Sequence, residues 1–246
     1  YLALRAMDLT RLPEPNLAVR YWAGTPRALL AESARLIHEG FGMPSLFADE
    51  TVIPAMQTLG LPEEVARDYA SMGCVEVAIP GRWGHRATGM TYINFGKILE
   101  IMLNNGTDPA SGIQLLSVNG KPGREVQFDS YEQVWQTWKK FLKFYTDLAV
   151  ESDAICDRYL KEFDADAYAS SLVDKSIERG KTLKNGGGEF DFVSQSTIGT
   201  SIIGDALAVV KKLVFDEKKI TFGQLRAALD ANWQGEENQR IRRMAL

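Results

Sequence analysis

The stretch at residues 71–76 constrains this chain more than any other part of it. It reads Ser-Met-Gly-Cys-Val-Glu, and a turn-rich run follows it as far as residue 89. Gly73 permits backbone angles that other residues avoid, which predicts an extended or looped segment here. Side chains two positions apart share a face in extended backbone. We therefore expect Cys74 and Glu76 to point the same way, so that a thiol and a carboxyl face one space.

The pair Cys-x-Glu has an ordinary structural interpretation as well. A free cysteine commonly serves as a small buried hydrophobic residue, and a nearby glutamate is commonly solvated or paired. The pattern is short, so the wider sequence has to decide between packing and chemistry.

Composition excludes several classes of protein. The chain has 246 residues, of which 45% are apolar, enough to bury a core as one domain or two. Its formal charge of −4 argues against nucleic-acid binding, which favours a basic face. No apolar run is long enough to cross a bilayer, and no signal-peptide pattern is present. With only two cysteines, the chain is predicted to be cytoplasmic with free thiols.

Hydrophobic periodicity predicts several helices along the chain. Proline, capping residues and glycine mark the boundaries of most elements. The apolar and aromatic spacing of the longest helix is typical of core packing. The pattern predicts a short strand over 16–22 and helices over 26–40, 62–69, 91–104, 131–160 and 202–213, with a last helix capped by Thr221 and Gln224.

Other reactive side chains have structural interpretations. Asp49 and Glu50 are adjacent acids, but no histidine or further carboxylate stands at ligand spacing, so we predict helix capping or solvation and no metal site. His38 lies near a helix end, where the helix dipole favours a cation. Cys156 lies within the longest helical pattern and is predicted to pack. The run at 81–89 suits either a loop that lines a polar pocket or an exposed loop without a role.

The wider sequence resembles a known family. The motif at 71–76, followed by Thr-Tyr-Ile-Asn-Phe at 91–95 and Leu-Asn-Asn-Gly at 103–106, is similar to the glycyl radical enzymes. The similarity is to their dehydratase and lyase branch, which is pyruvate formate-lyase-like. Further similar segments follow in family order at 12–21, 44–50, 205–215 and 233–236.

The resemblance implies an α/β fold. Family members form ten-stranded α/β barrels, rich in helices, with the cysteine on a central loop. They are several times longer than this chain, and their radical-bearing glycine lies near the C-terminus. We therefore expect residues 1–246 to be a single partial domain that lacks the glycine-radical loop.

The resemblance also implies a reaction and its site residues. Cys74 would form a thiyl radical and Glu76 would act as a general base, in a radical elimination (dehydratase or C–X lyase) on a small hydroxylated substrate. Thr88 and Met90 fall where the family shapes its substrate pocket. Diol-dehydrating relatives tend to have an acid near Thr88 and hydroxyproline-dehydrating relatives a tyrosine near Met90, so this chain departs from both.

The same resemblance implies the cofactor and the partners. No cofactor is bound; an activating enzyme that uses S-adenosylmethionine and an iron–sulfur cluster installs a protein glycyl radical. The expected partners are a small-molecule substrate, that activating enzyme, the remainder of the parent chain and further copies in a homo-oligomer. Neither a nucleic acid nor a membrane is expected.

Three alternatives remain at this point. A formate acetyltransferase needs two adjacent cysteines, and Cys74 is followed by Val75. Radical decarboxylases also pair a cysteine with a glutamate. From a different class, the chain could be a non-catalytic fragment or an assembly module that retains the fold.

Overall fold

The computed structural model describes residues 1–12, 14–73, 75–84 and 88–246. The helices in this part of the chain are α1 (Leu2–Thr10), α2 (Arg27–Leu36), α3 (Asp49–Thr58), α4 (Glu63–Ala66), α5 (Phe95–Leu103), α6 (Tyr131–Phe163), α7 (Ala167–Ser171), α8 (Ser176–Arg179), α9 (Thr200–Val209), α10 (Phe222–Asp230) and α11 (Glu236–Ala245). The strands are β1 (Ala18–Tyr21), β2 (Ser45–Ala48), β3 (Ala70–Met72), β4 (Glu76–Ala78), β5 (Thr88–Asn94) and β6 (Ser194–Ile198).

The chain divides into two compact units. The first comprises Tyr1–Gly89 and Asp157–Ser194, and the second comprises Met90–Cys156 and Gln195–Leu246. No helix among the described residues is both long and apolar enough to cross a membrane. The single partial domain expected from the sequence stays a prediction.

Two strand pairs organise the first unit. β1 and β2 run parallel, from Ala18 opposite Ser45 to Tyr21 opposite Ala48. β3 and β4 form an antiparallel hairpin. The core beneath them consists of apolar residues from β2, α3, α4 and the neighbouring loops, which include Phe47, Ile53, Leu61, Tyr69, Ile79 and Trp83. The strand predicted over 16–22 is thereby confirmed as β1.

The helix predicted over 26–40 is also confirmed, with a different start. α2 begins at Arg27 and continues as a π-helical turn, Ile37–Phe41. Gly40 interrupts that turn with a φ of 91°, which glycine adopts readily. The Thr25 hydroxyl accepts a hydrogen bond from Trp22 N (2.9 Å) and does not cap the helix.

The second unit packs around α6, the 33-residue helix that the aromatic spacing predicted. The buried side chains of α6 include Val134, Trp138 and Phe141, which confirms their predicted core role. The predicted capping box at Thr221 is also present: the Thr221 hydroxyl accepts from Gln224 N, and the Gln224 side chain accepts from Thr221 N.

The helix predicted over 91–104 is only partly correct. Residues 88–94 form β5, which is hydrogen-bonded to β6, and the helix starts afterwards as α5. The side chain of Asn94 accepts a hydrogen bond from Lys97 N (3.0 Å) and caps α5. The strand forms because its partner lies about a hundred residues further along the chain, where local periodicity carries no signal.

The described residues are rich in helix and contain three two-stranded sheets. This agrees with the α/β class. The ten-stranded barrel and the central position of Cys74 stay predictions.

Candidate functional site

The β3–β4 hairpin carries the predicted catalytic pair. Met72 pairs with Glu76 across the hairpin, so residues 73–75 connect the two strands. Cys74 lies outside the described residues, and its orientation toward Glu76 stays a prediction. The positions on either side of it are described, and they define the setting of the Glu76 carboxyl.

The Glu76 carboxyl folds back over the tip of the hairpin. Its Oε2 atom accepts a hydrogen bond from the backbone N–H of Val75 (3.0 Å). A β-carbon built on Gly73 would lie 2.8 Å from the same oxygen, and Gly73 has a φ of +63°. The half-buried Glu76 carboxyl is therefore close to both residues that flank Cys74.

The position of the Glu76 carboxyl depends on the residue at 73. The absence of a side chain at Gly73 leaves the space that the carboxyl fills.

A charged cluster anchors the segment that leads into the hairpin. Arg20, on β1, donates to the backbone oxygens of Arg67 (3.1 Å) and Tyr69 (2.7 Å), immediately before β3. Its Nε and Nη2 atoms also bind the two carboxylate oxygens of Asp49, at 3.0 and 3.1 Å. The Tyr69 hydroxyl donates to Asp49 Oδ1 (2.7 Å), and the Arg20 guanidinium lies 3.8 Å from the centre of the Tyr69 ring.

The cluster shifts the pKa values of its members. Burial pushes the pKa of Asp49 upward, but hydrogen bonds from Arg20 and Tyr69 outweigh burial and hold that pKa below its ordinary value. Burial, followed by the hydrogen bond to Asp49, raises the pKa of Tyr69 to about 12. Asp49 was predicted to cap a helix or be solvated; it lies in the first turn of α3 and is also ion-paired.

A second ion pair fixes the segment that follows β4. Arg82 donates through Nε and Nη2 to the Glu189 carboxylate, at 2.6 and 2.9 Å. The hydrogen bond from Arg82 lowers the pKa of Glu189. Trp83 Nε1 donates to Phe192 O at 3.0 Å. The start of the run at 81–89 is thus tied to residues 189–192, whereas residues 85–87 lie outside the described residues.

The predicted substrate-binding residues lie on β5. Thr88 and Met90 are two positions apart in this strand and therefore share a face. Thr88 is half-buried and the Met90 side chain is 50% exposed. Tyr92, 67% exposed, continues the same face. Glu76 and Thr88 belong to the first unit, and Met90 begins the second.

Two polar contacts hold β5 in the second unit. The backbone N–H of Met90 donates to Oδ1 of Asp153 on α6 (2.7 Å), and the Thr91 hydroxyl contacts Gln195 Oε1 on β6 (2.9 Å). Asp153 is only 6% exposed. Its position, 63 residues from Met90, gave no local signal in the sequence.

His38 and Cys156 are the remaining residues for which the sequence predicts a structural role. His38 is exposed in the π-helical turn after α2, and Cys156 is half-buried on α6 and not disulfide-bonded. Among the described residues, no group of three or more histidine, cysteine or acidic side chains is arranged to hold a metal ion.

The whole chain matches a known protein family. Residues 1–246 match the family described as pyruvate formate lyase-like, and the chain belongs to that family. The resemblance of the sequence to the glycyl radical enzymes is thereby confirmed.

Individual relatives agree with the family. The chain is 38% identical over its full length to a probable dehydratase, YbiW, of Escherichia coli (strain K12), and spans 30% of that protein. It is 33% identical over 96% of its length to the trans-4-hydroxy-L-proline dehydratase of Clostridioides difficile, and spans 29% of it. The chain therefore covers less than a third of the length of these relatives.

A solved structure shows the same arrangement of elements. The structure concerned with 1,2-propanediol dehydration in Roseburia inulinivorans superimposes with a TM-score of 0.81 at 30% sequence identity. The superposition covers 98% of this chain and 30% of that one.

Proposed function

We propose that the parent protein is a glycyl radical enzyme that catalyses radical elimination on a small hydroxylated substrate. This chain would supply Cys74 as the thiyl-forming residue and Glu76 as the general base. The observation that carries the proposal is the position of the Glu76 carboxyl, folded over the two residues that flank Cys74. Two matched relatives are named as dehydratases, which supports loss of water as the reaction class.

The chemistry divides between the two side chains. Activation of the parent protein supplies an unpaired electron as a glycyl radical. Cys74 passes the hydrogen atom of its thiol to that radical and becomes a thiyl. The thiyl sulfur takes a hydrogen atom from the substrate carbon that bears the hydroxyl, which re-forms the S–H bond and leaves a carbon radical.

Glu76 then accepts the proton of that hydroxyl. The resulting ketyl-like radical expels the leaving group, with its bonding electron pair, from the neighbouring carbon, and the proton held by Glu76 passes to the departing group. Return of a hydrogen atom from Cys74 to the substrate radical closes the cycle and yields a carbonyl product. A general base contributes roughly 10²- to 10⁴-fold to such a step.

An enclosed site protects these intermediates. We propose that the strands of this chain belong to a ten-stranded α/β barrel of the parent protein, with Cys74 on a central loop. Such a barrel excludes water, which would otherwise quench a radical or solvate the base. The remainder of the parent chain would complete the wall, and Thr88 and Met90 would contact the substrate.

The source of the radical is also part of the proposal. An activating enzyme that uses S-adenosylmethionine and an iron–sulfur cluster would install it on the parent protein, in a homo-oligomer. Mixing the two proteins and recording electron paramagnetic resonance tests this: a glycyl signal is expected, and no signal under reducing, oxygen-free conditions contradicts it.

Two substitutions test the site in the activated parent protein. Cys74→Ala is expected to abolish turnover, and Glu76→Gln to lower it by roughly 10²-fold or more, with the glycyl signal intact in both. Cys156→Ala and Glu178→Gln are the matched controls, because Cys156 is a half-buried thiol on α6 and Glu178 is an exposed acid paired with Lys175. Normal turnover in Cys74→Ala or Glu76→Gln would refute the proposed roles.

The same assay separates the alternatives. Acyl transfer would need a second thiol at position 75, where Val75 stands. Release of carbon dioxide from a carboxylated substrate would indicate a radical decarboxylase. A parent protein that takes up the glycyl radical and turns over no hydroxylated substrate would favour a non-catalytic module.

A further inference from the structure

A buried acid on α6 holds the strand that carries the predicted substrate contacts. Oδ1 of Asp153 accepts a hydrogen bond from the backbone N–H of Met90 at 2.7 Å. Asp153 is 6% exposed, and its second oxygen, Oδ2, is buried as well. No residue role predicted from the sequence explains why a carboxyl occupies this position.

The burial of Asp153 explains why its carboxyl needs a hydrogen-bond donor such as Met90 N. A buried carboxylate loses its hydration, so it persists only where donors replace the lost water. A hydrogen bond between a charged acceptor and a backbone N–H is shorter and about twice as strong as a neutral one. The bond to Met90 N fits that description, and it fixes a main-chain atom of β5 and not a side chain.

Packing against α6 is incomplete beside this part of β5. A cavity of about 270 Å³ lies between residues 91–94 of the strand and the face of α6 that includes Leu148, Ala149 and Ser152. The strand is held by its backbone pairing with β6 and by side-chain contacts, which include Asp153 to Met90 N and Thr91 to Gln195. The contact from Asp153 joins the strand to α6.

The direction of the β5 side chains depends on that backbone position. Alternate residues of a strand face opposite sides, so Thr88, Met90 and Tyr92 turn together when the main chain at position 90 moves. A displacement of about 1 Å at a substrate-positioning group can cost roughly a hundredfold in rate.

We propose that Asp153 is a positioning residue, which fixes the main chain of β5 and thereby the substrate-facing side chains Thr88, Met90 and Tyr92. This inference rests on the proposed function, because it takes this face of β5 to be the one that contacts substrate. In this role Asp153 acts through the main chain of Met90.

Hydrogen exchange tests the positioning without any turnover. In the parent protein, Asp153→Ala removes the acceptor, so the Met90 amide is expected to exchange about 10- to 100-fold faster, measured by mass spectrometry at residue resolution. Asp147→Asn is the matched control on the same helix, because Asp147 is an exposed acid paired with Lys143. An unchanged exchange rate at Met90 in Asp153→Ala would overturn the inference.

A conservative variant keeps the test decisive if Asp153→Ala does not fold. Asp153→Asn keeps the side-chain shape and a neutral oxygen acceptor, which binds the N–H less strongly than a carboxylate. Its Met90 amide is expected to exchange several-fold faster than in the native protein and more slowly than in Asp153→Ala. Exchange in Asp153→Asn equal to the native rate would overturn the inference even if Asp153→Ala fails to fold.

Kinetics separate positioning from general stability. In the activated parent protein, Asp153→Ala is expected to raise KM more than it lowers kcat, and Asp153→Asn is expected to restore most of the loss, with equal glycyl signals. Unchanged kcat and KM in Asp153→Ala would contradict the positioning role. If the native protein turns over no hydroxylated substrate, the proposed function fails, whereas the exchange measurement still decides whether Asp153 holds β5.

Discussion

Gly73 and Glu76 occupy adjoining space at the tip of the β3–β4 hairpin, where a β-carbon on residue 73 would lie 2.8 Å from Glu76 Oε2. The glycine is therefore required by the position of the carboxyl as well as by its own φ of +63°. Because the close atom is the end of a flexible side chain, a larger residue at 73 would displace the carboxyl, in addition to straining the backbone at that position.

Gly73→Ala is thus expected to reduce both activity and stability. Displacement of the base should lower kcat/KM of the activated parent protein by about tenfold or more, and backbone strain at the positive φ should lower Tm. Gly60→Ala is the control, since Gly60 has a φ of +90° and no atom within 4 Å of an added β-carbon. Gly60→Ala should lose at least as much stability as Gly73→Ala and should keep its activity. Equal activity losses in the two variants would show that backbone strain, and not the carboxyl, explains the effect.

Asp49→Asn is expected to destabilise the first unit at neutral pH. It breaks the ion pair with Arg20 and weakens the hydrogen bond from Tyr69, at a cost of about 2 kcal/mol. The pKa of Asp49 is lowered in the folded state, so its stabilisation is complete above the ordinary pKa of 3.8 and is lost as pH falls through the lower folded-state value.

Denaturant unfolding at several pH values measures this effect. The difference in unfolding free energy between native protein and Asp49→Asn should be largest near pH 7 and should shrink as pH falls below about 4. Asp147→Asn, at an exposed ion pair on α6, should show no such trend. A difference that stays constant down to pH 2 would contradict the role assigned to Asp49.

Asn105→Ala is expected to be among the most destabilising substitutions in the second unit. Asn105 is fully buried, its amide donates to Lys121 O (2.9 Å) and Gly123 O (2.8 Å), and its oxygen accepts from Val118 N (3.0 Å). Loss of these bonds leaves buried backbone groups unpaired, at about 3 kcal/mol or more. Thermal unfolding measures the change. Asn238→Ala, which removes one hydrogen bond at the surface, should cost less than about 1 kcal/mol.

Met90→Ala is expected to change substrate preference. If the face of β5 that carries Met90 contacts the substrate, truncation of the Met90 side chain should change substrate preference. The ratio of the kcat/KM values for two hydroxylated substrates of different size should alter by about 10-fold or more. Met244→Ala, on the terminal helix α11, should leave that ratio unchanged. A preserved ratio in Met90→Ala would remove Met90 from the predicted pocket.

Local signals in the sequence predicted much of the helical structure. The aromatic spacing of α6, the capping box at Thr221 and the strand β1 follow from neighbours within a few residues, because capping and amphipathic spacing are local effects. The motif at 71–76 and the further similar segments along the chain identified the family for the same reason, since each of them is read from consecutive residues.

What the sequence alone determined is therefore the family, the Cys74–Glu76 hypothesis and the elements whose ends and faces are set by adjacent residues. Only the tertiary structure shows that residues 91–94 belong to a strand. They pair with β6, although the local periodicity favours a helix there. The tertiary structure also supplied the partners of Arg20, Asp153 and Glu189, which lie 29 to 107 positions away. Such contacts form only when folding brings distant segments together, and the free energy of burial then outweighs local preference.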